Sequence, residues 1–218
     1  MKKHGKLCLK LGLVLLFLFM LWTALVYTVD VQPAGVNGTD IGFAKINVWF
    51  YSVIGVNMYL YSLTDWLGLV PVGICFGFGV EGLVQFFKRK SLLKVDRDII
   101  ALGIYYIAVF VCYFLFEMIP INYRPVLIDG CMEASYPSST TLLVLSVMPT
   151  FVLRSKRKLE SSRAKKLIAY ATMLFSVLMV IGRLLSGVHW LTDIIGSVIL
   201  SAGLFYVYKS AVLLCDKN

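Results

Sequence analysis

The sequence predicts an all-α integral membrane protein, a six-helix bundle with both termini in the cytoplasm. Hydrophobic residues make up 59% of the 218 residues and charged residues only 15%, whereas about a quarter of a typical soluble domain is charged. Long uncharged runs alternate with short basic segments. Such a chain carries too little charge to cover a water-exposed surface, so lipid is the solvent that it fits.

The first apolar run follows four basic residues and is uncharged from Leu11 to Val29. At 1.5 Å per residue it can cross the ~30 Å of membrane hydrocarbon. A cleaved signal peptide has a shorter apolar core, so we expect an uncleaved first helix. We predict one transmembrane domain over residues 1–218, with spans at 10–29, 66–87, 98–119, 138–153, 167–186 and 190–208. Pro149 lies inside the fourth span and predicts a kink there.

The basic residues predict the orientation. The segments before span one, between spans two and three, between spans four and five, and after span six hold 18 of the 21 lysines and arginines. By the positive-inside rule these segments are cytoplasmic. The net charge of +9 therefore reflects membrane topology, and we expect no nucleic-acid partner. The opposite, outer side keeps only Lys45, Arg124 and Arg183.

Three distant segments bring polar residues to this outer side, at residues 117–125, 137–141 and 183–193. Arg124 and Arg183 lie near the bilayer edge, where a lone arginine commonly extends its charge to the interface. Pro137 and Ser138 suit the start of a helix, and a helix N-terminus attracts anions. Two arginines beside such a terminus predict a phosphate-binding site.

His189 and Asp193 stand at positions i and i+4, which share one face of a helix. We expect the carboxylate to bond one ring nitrogen and orient the imidazole, which leaves the other nitrogen to attack phosphorus. The five cysteines form no CxxC pair and no cluster with histidine, so we predict neither a metal site nor a disulfide.

These residues resemble the signatures of the type 2 phosphatidic acid phosphatase superfamily, which includes undecaprenyl-pyrophosphate phosphatases. Arg183-x5-His189-x3-Asp193 is similar to the third signature, and Arg124-Pro125 to the end of the first. Pro137-Ser138-Ser139 is similar to the start of the second. The resemblance covers a core at 98–208. It implies catalysis without a metal or cofactor, with His189 as a nucleophile that forms a phosphohistidine, Asp193 as its partner, and phosphate held by Arg124, Arg183, Ser138 and Ser139.

Two positions depart from the family pattern. Glu117 stands where the first signature has lysine, and Thr140 where the second has the histidine that protonates the leaving group. Losing a general acid typically costs ~10²–10⁴-fold in rate. A departing lipid monophosphate is less basic than a lipid alcohol, so the remaining residues suit a phosphoanhydride better than an ester. Glu117 or Glu133 is an alternative proton donor, and the spacing does not decide between them.

The sequence therefore predicts a lipid phosphate or lipid pyrophosphate phosphatase, acting at the outer face of the cell membrane. The alternative is a catalytically impaired relative that binds lipid phosphates or membrane partners; Glu117 and Thr140 favour it, and the His189–Asp193 pair opposes it. A transporter is less favoured, because transporter sites lie near the bilayer midplane.

Two further features allow more than one interpretation. Six aromatic residues of the outer segment 30–65 and its border suit a helix in the membrane interface, either as an anchor or as a lid over the site: Trp49, Phe50, Tyr51, Tyr59, Tyr61 and Trp66. Glu81, inside span two, is a functional acid or pairs with Lys88 and its neighbours.

Overall fold

A computed structural model describes residues 2–215. Two short 3-10 turns and eight α-helices account for its regular structure, and the described residues form no β-strand. The prediction of an all-α protein is thus confirmed. The helices are α1 (Lys2–Thr28), α2 (Ala44–Ile54), α3 (Met58–Leu67), α4 (Leu69–Arg89), α5 (Arg97–Met118), α6 (Ser139–Lys158), α7 (Ser162–Leu185) and α8 (Leu191–Cys215).

Five helical stretches in the described part of the chain are long and apolar enough to cross a membrane: 2–28, 58–89, 97–118, 162–185 and 191–214. The chain is therefore a multi-pass membrane protein. α6 is not among the five, so the count of six spans stays a prediction. Its position in the bundle explains its polarity. It packs against α4, α5, α7 and α8 and buries Thr141, Ser146, Thr150 and Arg154, as an interior helix shielded from lipid can do.

Several helix ends differ from the predicted span ends. α1 begins at Lys2 rather than at residue 10, α6 continues to Lys158 rather than 153, and α8 continues to Cys215 rather than 208. The predicted limits followed the apolar runs. Backbone hydrogen bonding continues beyond them, because lysine and arginine are good helix formers and are stable outside the hydrocarbon.

The predicted interfacial segment contains two helices, α2 and α3. Only Gly68 separates α3 from α4, and together they form an almost continuous helical stretch of 32 residues. At 1.5 Å per residue this is ~48 Å, well beyond the ~30 Å hydrocarbon thickness. Together the two helices are therefore long enough for α3 to extend over one end of the bundle.

The two ends of the bundle carry different polar groups. The basic end holds the segments around 88–97 and 154–166; the signature end holds Arg124, Ser138, Arg183 and His189. At the basic end Glu81 accepts hydrogen bonds from Arg154 Nη2 and Lys158 Nζ, both at 2.7 Å. Arg154 also pairs with Asp98. The prediction for Glu81 named the wrong partner, since an ion pair between α4 and α6 replaces the expected pairing with Lys88.

Candidate active site

The three signature segments meet at one end of the bundle. Ser138 is the fully buried N-cap residue of α6. Its backbone N–H donates to the Asp193 carbonyl at 3.4 Å, and Ser197 Oγ donates to the Ser138 carbonyl at 3.0 Å. The start of α6, with the predicted phosphate-binding residues Ser138 and Ser139, is thus attached to the start of α8.

His189 lies in the turn between α7 and α8 and is 3% exposed. Its Nδ1 is 3.1 Å from the Ser135 carbonyl oxygen. A carbonyl only accepts hydrogen bonds, so this contact places the proton on Nδ1 and leaves a lone pair on Nε2. Burial, together with the charges of Arg124 and Arg183, holds the pKa of His189 well below its ordinary value. Nε2 is buried without a hydrogen-bond partner among residues 2–215 and is chemically suited to act as a nucleophile.

Asp193 does not make the predicted hydrogen bond to His189, because 3.8 Å separates its Oδ2 from His189 Nδ1. Oδ2 instead accepts a hydrogen bond from the Trp190 backbone N–H at 2.9 Å, the arrangement of a capping box at the start of α8. Oδ1 accepts one from Asn122 Nδ2 at 3.3 Å. The Ser135 carbonyl therefore orients the imidazole, while the Asp193 carboxylate stays close enough to stabilise a cationic ring.

Arg124 and Arg183 are both buried at the signature end, close enough for their charges to act on His189. Arg124 Nε is 3.0 Å from Glu133 Oε2, and Arg183 Nη2 is 3.5 Å from Asp65 Oδ1. Arg124 Nη1 and Arg183 Nε are buried and have no hydrogen-bond partner in the described part of the chain. Buried donors normally find an acceptor, so this pair of arginines suits an anion.

Two cavities adjoin the signature residues. His189, Ser139 and Glu117 line a cavity of about 10 Å³, which has room for roughly one water molecule. A second cavity of about 260 Å³ is lined by Ser139, Thr140 and Asp65, and otherwise mainly by apolar side chains of α4, α5 and α6. Both variant positions, Glu117 and Thr140, therefore border the site.

Four contributors to the site were not predicted: Ser135, Asn122, Asp65 and Tyr61. Ser135 acts through a backbone carbonyl, which no residue pattern reveals. Tyr61 was interpreted only as an interfacial aromatic, although its ring centroid lies 4.7 Å from the Arg183 guanidinium carbon and 5.9 Å from that of Arg124. The aromatic and acidic residues before span two were the signal in the sequence that could have indicated Tyr61 and Asp65.

The chain is similar to known proteins in its sequence family and in its fold. None of the curated proteins matches the chain. A solved structure, the first transmembrane PAP2 type phosphatidylglycerolphosphate phosphatase from Bacillus subtilis, is similar with a TM-score of 0.60 and 19% sequence identity. The match covers 94% of this chain and 98% of that one, and at this identity it shows a shared fold. The family model described as the PAP2 superfamily matches residues 101–215, more than half of the chain and the part that holds all three signatures. The chain thus belongs to the PAP2 superfamily, as its signature residues predicted.

Proposed function

We propose that the protein is a lipid phosphate or lipid pyrophosphate phosphatase in which His189 forms a phosphohistidine. One observation carries the proposal: a buried imidazole nitrogen, His189 Nε2, holds a lone pair and has no partner among the described residues, and the charges of two arginines with unused donors act on this histidine. A neutral nucleophile next to an anion-binding site is what phosphoryl transfer requires.

In the first step Nε2 attacks phosphorus, and the bond between phosphorus and the leaving oxygen breaks as the N–P bond forms. Arg124, Arg183 and the N–H groups at the start of α6 stabilise charge on the transferring oxygens. The Ser135 carbonyl and the Asp193 carboxylate stabilise the ring, which becomes cationic. In the second step water breaks the N–P bond, releases inorganic phosphate and restores neutral His189.

The 260 Å³ cavity supports a lipid substrate. Its polar lining comes from Ser139, Thr140 and Asp65, and Leu69, Val72 and Phe110 contribute to its apolar remainder. A phosphorylated head group held at Ser139 and Thr140 would place an apolar chain among these apolar side chains. The basic residues collect at the opposite end of the bundle, which supports an outward-facing site by the positive-inside rule.

The variant residues favour a pyrophosphate. Thr140 cannot donate a proton near neutral pH, so the better leaving group, a lipid monophosphate, is the one that this site can expel. Of the two alternative acids, Glu133 is paired with Arg124, while Glu117 shares a cavity with His189. Glu117 is therefore the better candidate for a proton donor.

A binding role without turnover is the second candidate. Glu117 replaces a phosphate-binding lysine, and both arginines already face carboxylates, Glu133 and Asp65. These three acids would weaken phosphate binding, and a relative that no longer needs turnover would tolerate them.

Phosphate release from the purified protein separates the two roles. We expect release from a lipid pyrophosphate to exceed release from the matching lipid monophosphate, and His189→Ala to lower both by about 10³-fold or more. His4→Ala, which changes the other histidine near the N-terminus, is the control and should keep full activity. Release that is equal in His189→Ala and the wild type would contradict the phosphohistidine. Anion binding without any release would favour the binding role.

A further inference from the structure

We propose that α3 is a fourth part of the phosphate site, with Tyr61 as the residue that positions both arginines. The inference rests on the proposed phosphate-binding role of Arg124 and Arg183. It adds a segment that lies outside the three signatures and outside the matched residues 101–215.

The contacts of Tyr61 carry the proposal. Its ring lies against both guanidinium groups, at 4.7 Å from Arg183 and 5.9 Å from Arg124. Its backbone carbonyl accepts a hydrogen bond from Arg183 Nη1 at 3.4 Å. One turn later, Thr64 Oγ1 accepts another from the same nitrogen at 3.3 Å. Tyr61 is thus the shared neighbour of two like charges that come from different signature segments.

A ring is well suited to hold an arginine that must bind an anion. The attraction between a cation and a ring face uses no N–H donor, so the donors stay available. Arg124 Nη1 and Arg183 Nε have no hydrogen-bond partner among the residues that the structure describes. A carboxylate in the place of the ring would instead compete with phosphate for both charges.

The position of α3 is itself determined by the third signature. The Asn57 backbone N–H donates to the Ser186 carbonyl at 3.0 Å. Gly187 has φ +67°, and a Cβ there would lie 1.9 Å from the Gly55 carbonyl oxygen. A Cβ on Gly182 would lie 2.8 Å from Thr64 Cγ2. The turn before α3 and α3 itself therefore pack directly on the segment that carries Arg183 and His189.

Removing the ring should loosen both arginines. Each gains rotamer freedom that phosphate binding must then remove, and the two charges repel each other with less to oppose them. The effect should appear mainly in anion affinity and KM, because the ring contacts the guanidinium groups that bind the anion.

The test compares Tyr61→Leu, Tyr61→Phe and the control Tyr59→Leu, which removes an exposed ring from the same helix. Vanadate affinity and the kinetics of phosphate release are measured on each purified full-length protein. We expect Tyr61→Leu to weaken vanadate binding and raise KM by about tenfold, with kcat changed much less. Tyr61→Phe should restore both values, and Tyr59→Leu should match the wild type.

A second comparison separates positioning from general support of the fold. In an Arg183→Ala background Tyr61→Leu should weaken vanadate binding by a smaller factor than in the wild type, since one of the two groups that it positions is gone. Equal vanadate binding by Tyr61→Leu and Tyr59→Leu would overturn the proposal. If the wild type binds vanadate but releases no phosphate, the proposed enzyme activity fails, and the binding series alone supports or overturns the role of Tyr61.

Discussion

Arg154 and Arg183 are both buried in the helix bundle, 6% and 1% exposed, but their neighbours differ. Arg154, at the basic end, pairs with Glu81 and Asp98, whose side chains are each 26% exposed. Arg183, at the signature end, faces a single carboxylate at 3.5 Å, on the 59% exposed side chain of Asp65, and has Arg124 as its charged neighbour. The first arginine is paired closely with two carboxylates, and the second is paired more loosely with one.

The comparison shows how to tell a structural arginine from a binding one. Each leaves its Nε without a partner, so a single unpaired nitrogen does not distinguish them. The number and the exposure of the neighbouring carboxylates do. Burying a cation costs free energy unless an opposite charge accompanies it. Arg154 has two carboxylates that are each 26% exposed, whereas Arg183 and Arg124 have one each, on side chains that are 59% and 38% exposed, so solvent weakens their pairing and a phosphate could replace it.

Exchanging each arginine for alanine should produce opposite defects. Arg183→Ala should weaken vanadate binding by about 10- to 100-fold, the effect of losing a charge-assisted contact, with little loss of thermal stability because Asp65 is solvated. Arg154→Ala should leave vanadate affinity unchanged and destabilise the protein by about 2–3 kcal/mol, since it removes the buried cation that Glu81 and Asp98 share and leaves them only the more exposed Lys158 and Arg157. Titration with vanadate and thermal unfolding in the same detergent measure both quantities.

The variant Arg183→Lys is the control, because it keeps the positive charge and changes the shape of the charged group. It should recover little vanadate binding, because an ammonium group lacks the planar fork of a guanidinium group. Loss of vanadate binding in Arg154→Ala, with the fold intact, would break the comparison, since both arginines would then contribute to one anion site.

Much of the signature end follows from sequence spacing. The distances in sequence from Arg183 to His189 and Asp193 place these residues within one turn and the start of one helix. Alternating spans bring the end of α5 and the start of α6 to the same side. The meeting of Arg124, Ser138, Arg183 and His189 was therefore predictable without coordinates.

The remaining contacts depend on features that the sequence does not encode locally. The partner of His189 Nδ1 is a backbone carbonyl, which any residue at position 135 would supply. The contact between Tyr61 and Arg183 joins residues 122 positions apart. Hydropathy indicates on which membrane side Glu81 lies, but not that α6 rather than its own following loop supplies its partners.

The changes Thr140→His and Glu117→Lys restore the residues of the family pattern. They add a proton donor and a positive charge at the signature end, and so increase its difference from the basic end. Thr140→His should raise phosphate release from a lipid monophosphate about tenfold, and release from a lipid pyrophosphate less, because an acid helps most where the leaving oxygen is most basic. The double change with Glu117→Lys should exceed either single change, since it also removes a carboxylate from the cavity of His189.

The pH profile identifies the cause of any gain. A donor with an ordinary histidine pKa is protonated below about pH 6.5, so the advantage of Thr140→His should fall as the pH rises above that value. Thr140→Asn, which is polar but does not titrate, is the control and should show no gain. An equal gain on both substrates would argue against leaving-group protonation. If the double variant were folded and inert, the catalytic roles of His189 and Asp193 would be wrong.

The smallest expected effect tests whether the pairing of Arg183 with Asp65 competes with the ligand. The Asp65 Oδ1 oxygen lies 3.5 Å from Arg183 Nη2, and a bound phosphate would need the same guanidinium group. Asp65→Asn keeps the size of the side chain and removes its charge. It should therefore tighten vanadate binding about two- to threefold, the modest gain that an exposed ion pair allows, and the gain should shrink as salt screens the pair in the wild type.

The control is Asp40→Asn, at an exposed position of the same outer segment, which should leave vanadate binding unchanged. If Asp65→Asn instead weakened vanadate binding, the Asp65 carboxylate would be holding Arg183 in place for the ligand. Arg183 would then resemble Arg154, whose position is fixed by its ion pairs.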